Sequence, residues 1–244
     1  MKVIAKTEKG RRENNEDSFF KYSNDKLFGG LIADGMGGHN KGDVASKLAA
    51  DVIKDYIMSN FKITMDSFDV SELMRNAVTK ANEKIYQMSV KNPICKGMGT
   101  TITMAMVFDK WLITAHVGDS RAYLLGDSKV EKITRDHSYV DDLIEQGVID
   151  NEEAKHHPKR NYITRAVGTE RSVLVDINVR KYAGETVVLC SDGLWAYLDD
   201  DAILRTVKNS GDFETAAEHL TELALLNGSN DNITVIIFKG KSAE

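Results

Sequence analysis

Along the chain the apolar residues follow two rhythms. Residues 2–8, 17–22 and 27–33 are short apolar-rich runs separated by polar turns, and they predict three strands. Residues 42–59 (GDVASKLAADVIKDYIMS) and about 69–90 then space their apolar side chains three and four apart, which predicts two amphipathic helices. A strand-rich middle follows at 98–108, 111–117, 120–126 and 129–134, joined by turns as short as DK and GDS. Connections that tight imply antiparallel neighbours, because parallel strands need a long crossover. Residues 138–146 predict a short helix, and 149–162 (IDNEEAKHHPKRNY) a polar, mobile excursion. Strands at 173–181 and 185–191, helices near 199–208 and 212–227, and a last strand NITVIIFKG complete the series. Strands grouped with strands, and helices with helices, predict an α+β layered sandwich and not alternating βαβ units.

Composition narrows the picture. The 244 residues contain no repeats, low-complexity tracts or proline-rich linkers, and only two prolines, so one continuous domain over 1–244 is expected. With 42% apolar and 28% charged residues, the chain can bury a core and is not of the disordered class. A net charge of −5 argues against a general nucleic-acid binder, although 32 Lys and Arg leave room for local cationic patches. No apolar run approaches the roughly 20 residues of a membrane-spanning helix. The start MKVIAKTEKGRREN lacks the apolar core of a signal peptide. Of the two cysteines, Cys190 lies inside TVVLCSDG and reads as a small buried hydrophobe. A reducing cytoplasm is therefore the expected location, though a piece of a longer anchored protein would read the same way.

Candidate chemistry begins at residues 30–40, GLIADGMGGHN, where an apolar run ends in Asp34 and then in glycines. A phosphate cradle does not fit. A dinucleotide fingerprint needs glycine where Asn40 stands, NKGD is not the Gly-Lys-Ser/Thr of a nucleotide loop, and Asp34 would repel a pyrophosphate. Asp119, Asp192 and Asp231 share the context of Asp34, each lying where an apolar strand meets a turn, and Asp17 stands just ahead of another strand. Turn preference explains any one of them. As a set they suggest more, because packed strands can bring their ends to one edge. Two carboxylates about 4 Å apart repel by about 4 kcal/mol at an effective dielectric of about 20, so such a cluster needs protons or cations. Oxygen donors alone point to Mg²⁺ or Mn²⁺ and not to zinc. Glycine after Asp34 would let a bare backbone turn its carbonyl toward an ion. The residues by themselves leave both the turn and the metal seat open.

Other residues suggest less. A cysteine phosphatase needs arginine six positions after its cysteine, and here Thr101 and Ala196 stand there. His116 alternates with apolar neighbours in a strand and reads as a hydrogen-bonded structural histidine. His137 in RDHS reads as a helix start capped by Ser138 or Asp136. His156 and His157 have no third soft ligand near, so a solvated loop is expected. Leu194 and Trp195 read as packing behind Asp192.

The fragments RRENNED, ADGMGGH, GTT (99–101), VGDSRAYL, DHS, TRAVG, CSDGLW and DNIT, in that order between about residues 3 and 238, closely resemble the metal-dependent serine/threonine protein phosphatases of the phosphatase 2C type, particularly the short bacterial form. The resemblance implies a four-layer αββα sandwich of two mainly antiparallel sheets flanked by helix pairs. It implies that Asp34 bridges two Mg²⁺ or Mn²⁺ ions, that the carbonyl of Gly35 joins one, and that Asp192 and Asp231 hold the other. Asp17 would orient a water from behind these ligands, and Asp119 would help bind a third, weaker ion. Arg12 would grip the substrate phosphate, for which its planar two-pronged guanidinium is suited. Residues 138–165 would form a flap that influences substrate choice and exchange of the third ion. The implied reaction is hydrolysis of phosphoserine and phosphothreonine in proteins. A water activated by the two ions would attack phosphorus directly, with no phosphoenzyme. Asp34, Asp192 and Arg12 are the implied catalytic set. Implied partners are substrates of a serine/threonine kinase and the kinase itself, met by a cytoplasmic monomer that binds no nucleic acid. One departure matters. Animal members carry histidine directly after the Asp-Gly pair, where Met36 stands here, so the general acid is unassigned, as is the role of His39. Two rival functions remain: a catalytically silent module that keeps the fold, and a small-phosphoester hydrolase, for which no base-binding motif is evident.

Overall fold

The computed structural model describes residues 2–36 and 41–240. One antiparallel sheet runs in the order β1 (Val3–Glu8), β11 (Ile233–Lys239), β10 (Thr186–Cys190), β7 (Arg121–Leu125), β8 (Val130–Lys132). The other runs β2 (Asp17–Ser23), β3 (Leu27–Met36), β5 (Ile102–Phe108), β6 (Trp111–Val117), β9 (Asp176–Lys181), with β4 (Gly99–Thr100) paired to the end of β3. Helices α1 (Gly42–Asn60) and α2 (Ser67–Lys91) cover the second sheet. The short α5 (Asp192–Trp195), α6 (Asp200–Asn209) and α7 (Phe213–Leu226) cover the first. The expected αββα layering is what the chain adopts.

Period-two alternation builds these layers. In β11, Ile233, Val235 and Ile237 face the α5–α7 side, while Ile236 and Phe238 enter the seam between the sheets. In β5, Ile102, Met104, Met106 and Phe108 face α1 and α2, while Ala105 and Val107 face the seam. Strands covered on both faces read as unbroken apolar runs, which is why TVVLC and ITVIIF carry no polar alternation. In the seam Phe28 meets Phe238 edge to face, with ring centroids 6.0 Å apart. Deleting such a ring costs about 3–5 kcal/mol.

Three segments depart from the sequence expectation. The strand foreseen at 98–108 is interrupted at Thr101, although β4 and β5 keep one register along β3 (Gly35 opposite Thr100, Ile32 opposite Thr103). Thr101 turns its hydroxyl to accept the Asp34 N–H at 3.0 Å. The strand foreseen from 173 starts at Asp176, because arginine side chains take the preceding carbonyls. Arg165 donates to Leu174 O at 3.4 Å and Arg75 to Val175 O at 3.0 Å. The excursion foreseen at 149–162 carries a helix, α4 (Asn151–His156), next to the expected α3 (Tyr139–Glu145). Asp150 accepts from the Glu153 N–H while Glu153 accepts from the Asp150 N–H, a reciprocal cap that closes both helix-end donors.

Candidate active site

The two sheets bring their acid-bearing ends to one edge. Asp17 and Asp34 stand directly opposite each other on β2 and β3, so their side chains share a face with Cβ atoms about 5 Å apart. Asp192 follows β10 and opens α5, Asp231 precedes β11, and β10 and β11 are paired neighbours. Asp119 sits in the turn between β6 and β7. The electrostatics follow from this convergence. The carboxyl of Asp34 is raised well above its ordinary value, first by burial and then by the charges of Asp17, Asp192, Asp119 and Asp231. Burial pushes Asp119 up to about 8, helped by Asp192 and Asp136. Burial pushes Asp17 up to about 7, against the opposing pull of the Thr234 and Ser191 hydroxyls. Asp192 rises to about 6 through burial and the charge of Asp231, offset in part by a hydrogen bond with Asp34.

This edge fits a hard cation. The Oδ1 atoms of Asp17 and Asp119 are buried and have no hydrogen-bond partner. A negatively charged cluster with orphaned carboxylate oxygens is stabilised by positive charge. Among the described residues no three His, Cys, Asp or Glu side chains close into one coordination shell. Ions held here would therefore draw on backbone oxygen and water too, as Mg²⁺ does by preference. The backbone beside Asp34 is bare for a reason of space: a Cβ on Gly35 would stand 2.2 Å from the Gly42 carbonyl oxygen and 2.6 Å from that of Glu16. The same stretch is fixed from the other side, where Thr101 N–H and the Thr100 hydroxyl both donate to Asp34 O at 2.8 Å.

Arg12 reaches the cluster from the loop joining β1 to β2. Its Nη2 donates to Asp231 Oδ2 at 2.7 Å, and its side chain is 56% exposed. Beside Asp192 lies a cleft of about 870 Å³, bounded by Asp119, Asp192, Arg121, Trp195 and residues between 138 and 161. Arg121 lies 3.5 Å over the Trp195 ring and donates through Nε and Nη2 to Asp136 Oδ2 at 2.9 and 2.7 Å. A smaller concavity of about 370 Å³ opens at the opposite ends of β7 and β10, and none of the clustered acids lines it.

The family model for protein phosphatase 2C matches residues 7–226. The chain belongs to the phosphatase 2C family. It is 33% identical over 240 residues to the serine/threonine phosphatase stp of Listeria innocua, covering 97% of this chain and 95% of that one. It is 36% identical over 239 residues to the phosphatase PstP of Mycobacterium tuberculosis, covering 97% of this chain and 44% of that longer protein. Among solved structures, the phosphatase Stp1 of Staphylococcus aureus superposes with a TM-score of 0.91 at 36% identity, over 99% of this chain and 94% of that one. The catalytic domain of PstP in complex with two manganese ions superposes with a TM-score of 0.83 at 34% identity, over 97% and 96%.

Within this phosphatase 2C fold, the acids picked out from the sequence gather at one edge, and His116, His137 and His157 stand apart from them. His116 bonds Thr103 through Nδ1 and donates from Nε2 to Arg135 O, both at 2.9 Å, and burial lowers it to about 4. His137 accepts the Gly118 N–H on Nδ1 at 2.9 Å, which leaves Nε2–H to donate to Asp176 at 3.0 Å. Ser138, and not Asp136, caps α3. His157 accepts from the Lys159 N–H at 3.1 Å within an exposed loop. Leu194 packs in the core as expected, and Trp195 packs half-buried against the same core while also meeting Arg121 and lining the cleft. Met36 ends β3 opposite Gly99, and His39 lies outside the described residues. Sequence reasoning missed Glu16, an acid beside the cluster whose carboxyl is raised by burial and by Asp43. It also missed the anchoring threonines and Asn232. The GTT and DNIT fragments held the signal for the last two, but only as letters of a motif.

Proposed function

We propose that the chain is a metal-dependent phosphatase that hydrolyses phosphoserine and phosphothreonine in proteins. The observation that carries this reading is the gathering of Asp17, Asp34, Asp119, Asp192 and Asp231 at one edge, with two buried carboxylate oxygens left unpartnered. In this reading Asp34, the Gly35 carbonyl, Asp192 and Asp231 hold two Mg²⁺ or Mn²⁺ ions, Asp17 supports them from behind, and Asp119 helps hold a third, weaker one. When bound, paired ions of this kind neutralise a phosphoryl group and bring the pKa of a water near neutrality. Thr100 and Thr101 fix where Asp34 presents its carboxylate. Arg12, exposed and held by a single contact, is free to turn its remaining donors to a phosphate. Direct attack by water, without a phosphoenzyme, is supported by the state of Cys190, fully buried with its thiol pushed up by that burial.

Residues 138–165 act as a flap over the cleft and influence which phosphopeptides reach the acids. No helix among the described residues is long and apolar enough to cross a membrane. In this reading the protein acts in the cytoplasm, as a monomer, on substrates of a serine/threonine kinase and on the kinase itself. The test is release of phosphate from a phosphothreonine peptide with Mn²⁺ or Mg²⁺ and with chelator. Turnover that needs the ion and stops with chelator is expected. Turnover that persists in chelator, or peptide binding without turnover, overturns the reading.

A further inference from the structure

We propose that Asn232 is a positioning residue: it clamps the 9–16 loop so that Arg12 stands in register with the acids. This rests on the reading of Arg12 as the phosphate-gripping residue. The Asn232 side chain is buried, at 5% exposure, and each of its polar atoms has a partner in that loop. Its Oδ1 accepts from the Glu16 N–H at 2.8 Å, and its Nδ2 donates to Lys9 O at 2.8 Å and to Asn14 O at 2.9 Å. One carboxamide thus holds the start and the end of the loop whose middle carries Arg12. All three partners are main-chain groups, so the loop's path is fixed whatever its side chains are.

The clamp is joined to the acid cluster through its own backbone. The Asn232 N–H donates to Asp231 Oδ1 at 2.9 Å, while Arg12 donates to Asp231 Oδ2 at 2.7 Å. Gly10 closes the loop onto the same residue: it has φ +62°, and a Cβ there would stand 2.2 Å from Asp231 O. Only a primary amide offers one acceptor and two donors in this arrangement. Aspartate would turn an oxygen on the carbonyls of Lys9 and Asn14, and alanine would leave three main-chain groups without their partner. Arg12 is more than half exposed and has one fixed contact, so its placement depends on the backbone beneath it. Misplacement of such a group by about 1 Å can cost about a hundredfold in rate.

The experiment is a double-mutant cycle with Asn232→Ala and Arg12→Ala, read as kcat/KM on a phosphothreonine peptide with Mn²⁺. It is paired with amide hydrogen exchange over residues 9–16. Asn232→Ala is expected to lower kcat/KM about ten- to a hundredfold and to speed exchange across the loop. The double variant should fall no further than Arg12→Ala alone. Asn232→Gln, which keeps the carboxamide but displaces it by one methylene, should show the same non-additivity and serves if Asn232→Ala fails to fold. Multiplicative losses, or unchanged exchange in the loop, overturn the positioning role alone. An Arg12→Ala enzyme with unchanged kcat/KM overturns the reading of Arg12 and this proposal with it.

Discussion

The 9–16 loop and the 138–165 segment both reach the acid edge, yet they are built in opposite ways. The loop contributes almost nothing to the core and is fixed by side-chain hydrogen bonds from Asn232 and by the close approach of Gly10. The longer segment closes on itself at its base, where Tyr139 N–H donates to Tyr162 O at 2.8 Å. It is tied to the body by Thr164 N–H to His137 O, also at 2.8 Å, and by Arg135, which donates to Glu145 at 2.7 Å and Asp142 at 3.3 Å. Beyond that base Val140 and Ala154 are its buried apolar residues, and its helices stand on their own caps at Ser138 and Asp150. A segment with few buried contacts opens locally at small cost. One side of the site is pinned by buried hydrogen bonds, and the other has few buried residues to hold it.

The largest test of this contrast is Asp192→Asn, which removes charge from the fixed side. Turnover should fall by about 10³-fold or more, the scale for losing one electrostatic partner of a transition state, while circular dichroism shows a folded protein. A fully active variant would remove the acids from the reaction. Next in size is the charge stress on that side in metal-free protein. Asp17 and Asp119 have folded pKa values of about 7 and 8, above their unfolded values, so the folded state holds more protons and stability falls as pH rises through that range. Denaturant unfolding in chelator should show a loss of roughly 1–2 kcal/mol between pH 7 and 8, and Asp119→Asn should flatten it. A stability that stays level over that interval would mean the acids ionise freely. The smallest effect belongs to the 138–165 segment. Asp150→Ala should cost about 1 kcal/mol of local helix stability and speed amide exchange at 151–156. Exchange in the 9–16 loop should not change, and turnover should stay within a few-fold. Faster exchange in that loop as well would show that the two regions are coupled after all.

The layers were legible because apolar patterning is a local signal: β10 and β11 read as strands from their letters alone. Asp34 was legible too, since an acid between a buried run and glycines is an unusual combination. What the residues by themselves left open was convergence, which only the family resemblance implied. The opposition of Asp17 to Asp34 is a fact of strand register, and the orphaned oxygens of Asp17 and Asp119 are facts of packing. Asn232 looked like any turn asparagine because its three partners lie more than two hundred positions away in sequence. Helix α4 was passed over because Ala154 is its one buried residue, although the reciprocal cap at Asp150 and Glu153 was written in plain view. The late start of β9 depended on Arg75 and Arg165 arriving from distant segments.

The rim formed by β8 and β9 has a bearing on how these molecules keep company. Each strand ends its sheet, and an unsatisfied ladder there would invite a foreign chain to zip on. Here β8 is only three residues long, and Arg180 on β9 grips Glu131 on β8 with two contacts of 2.7 and 3.1 Å. The fork laces one sheet to the other and sets charge where a sticky border would otherwise lie. The paired charges leave that border hydrated, a poor template for a foreign strand.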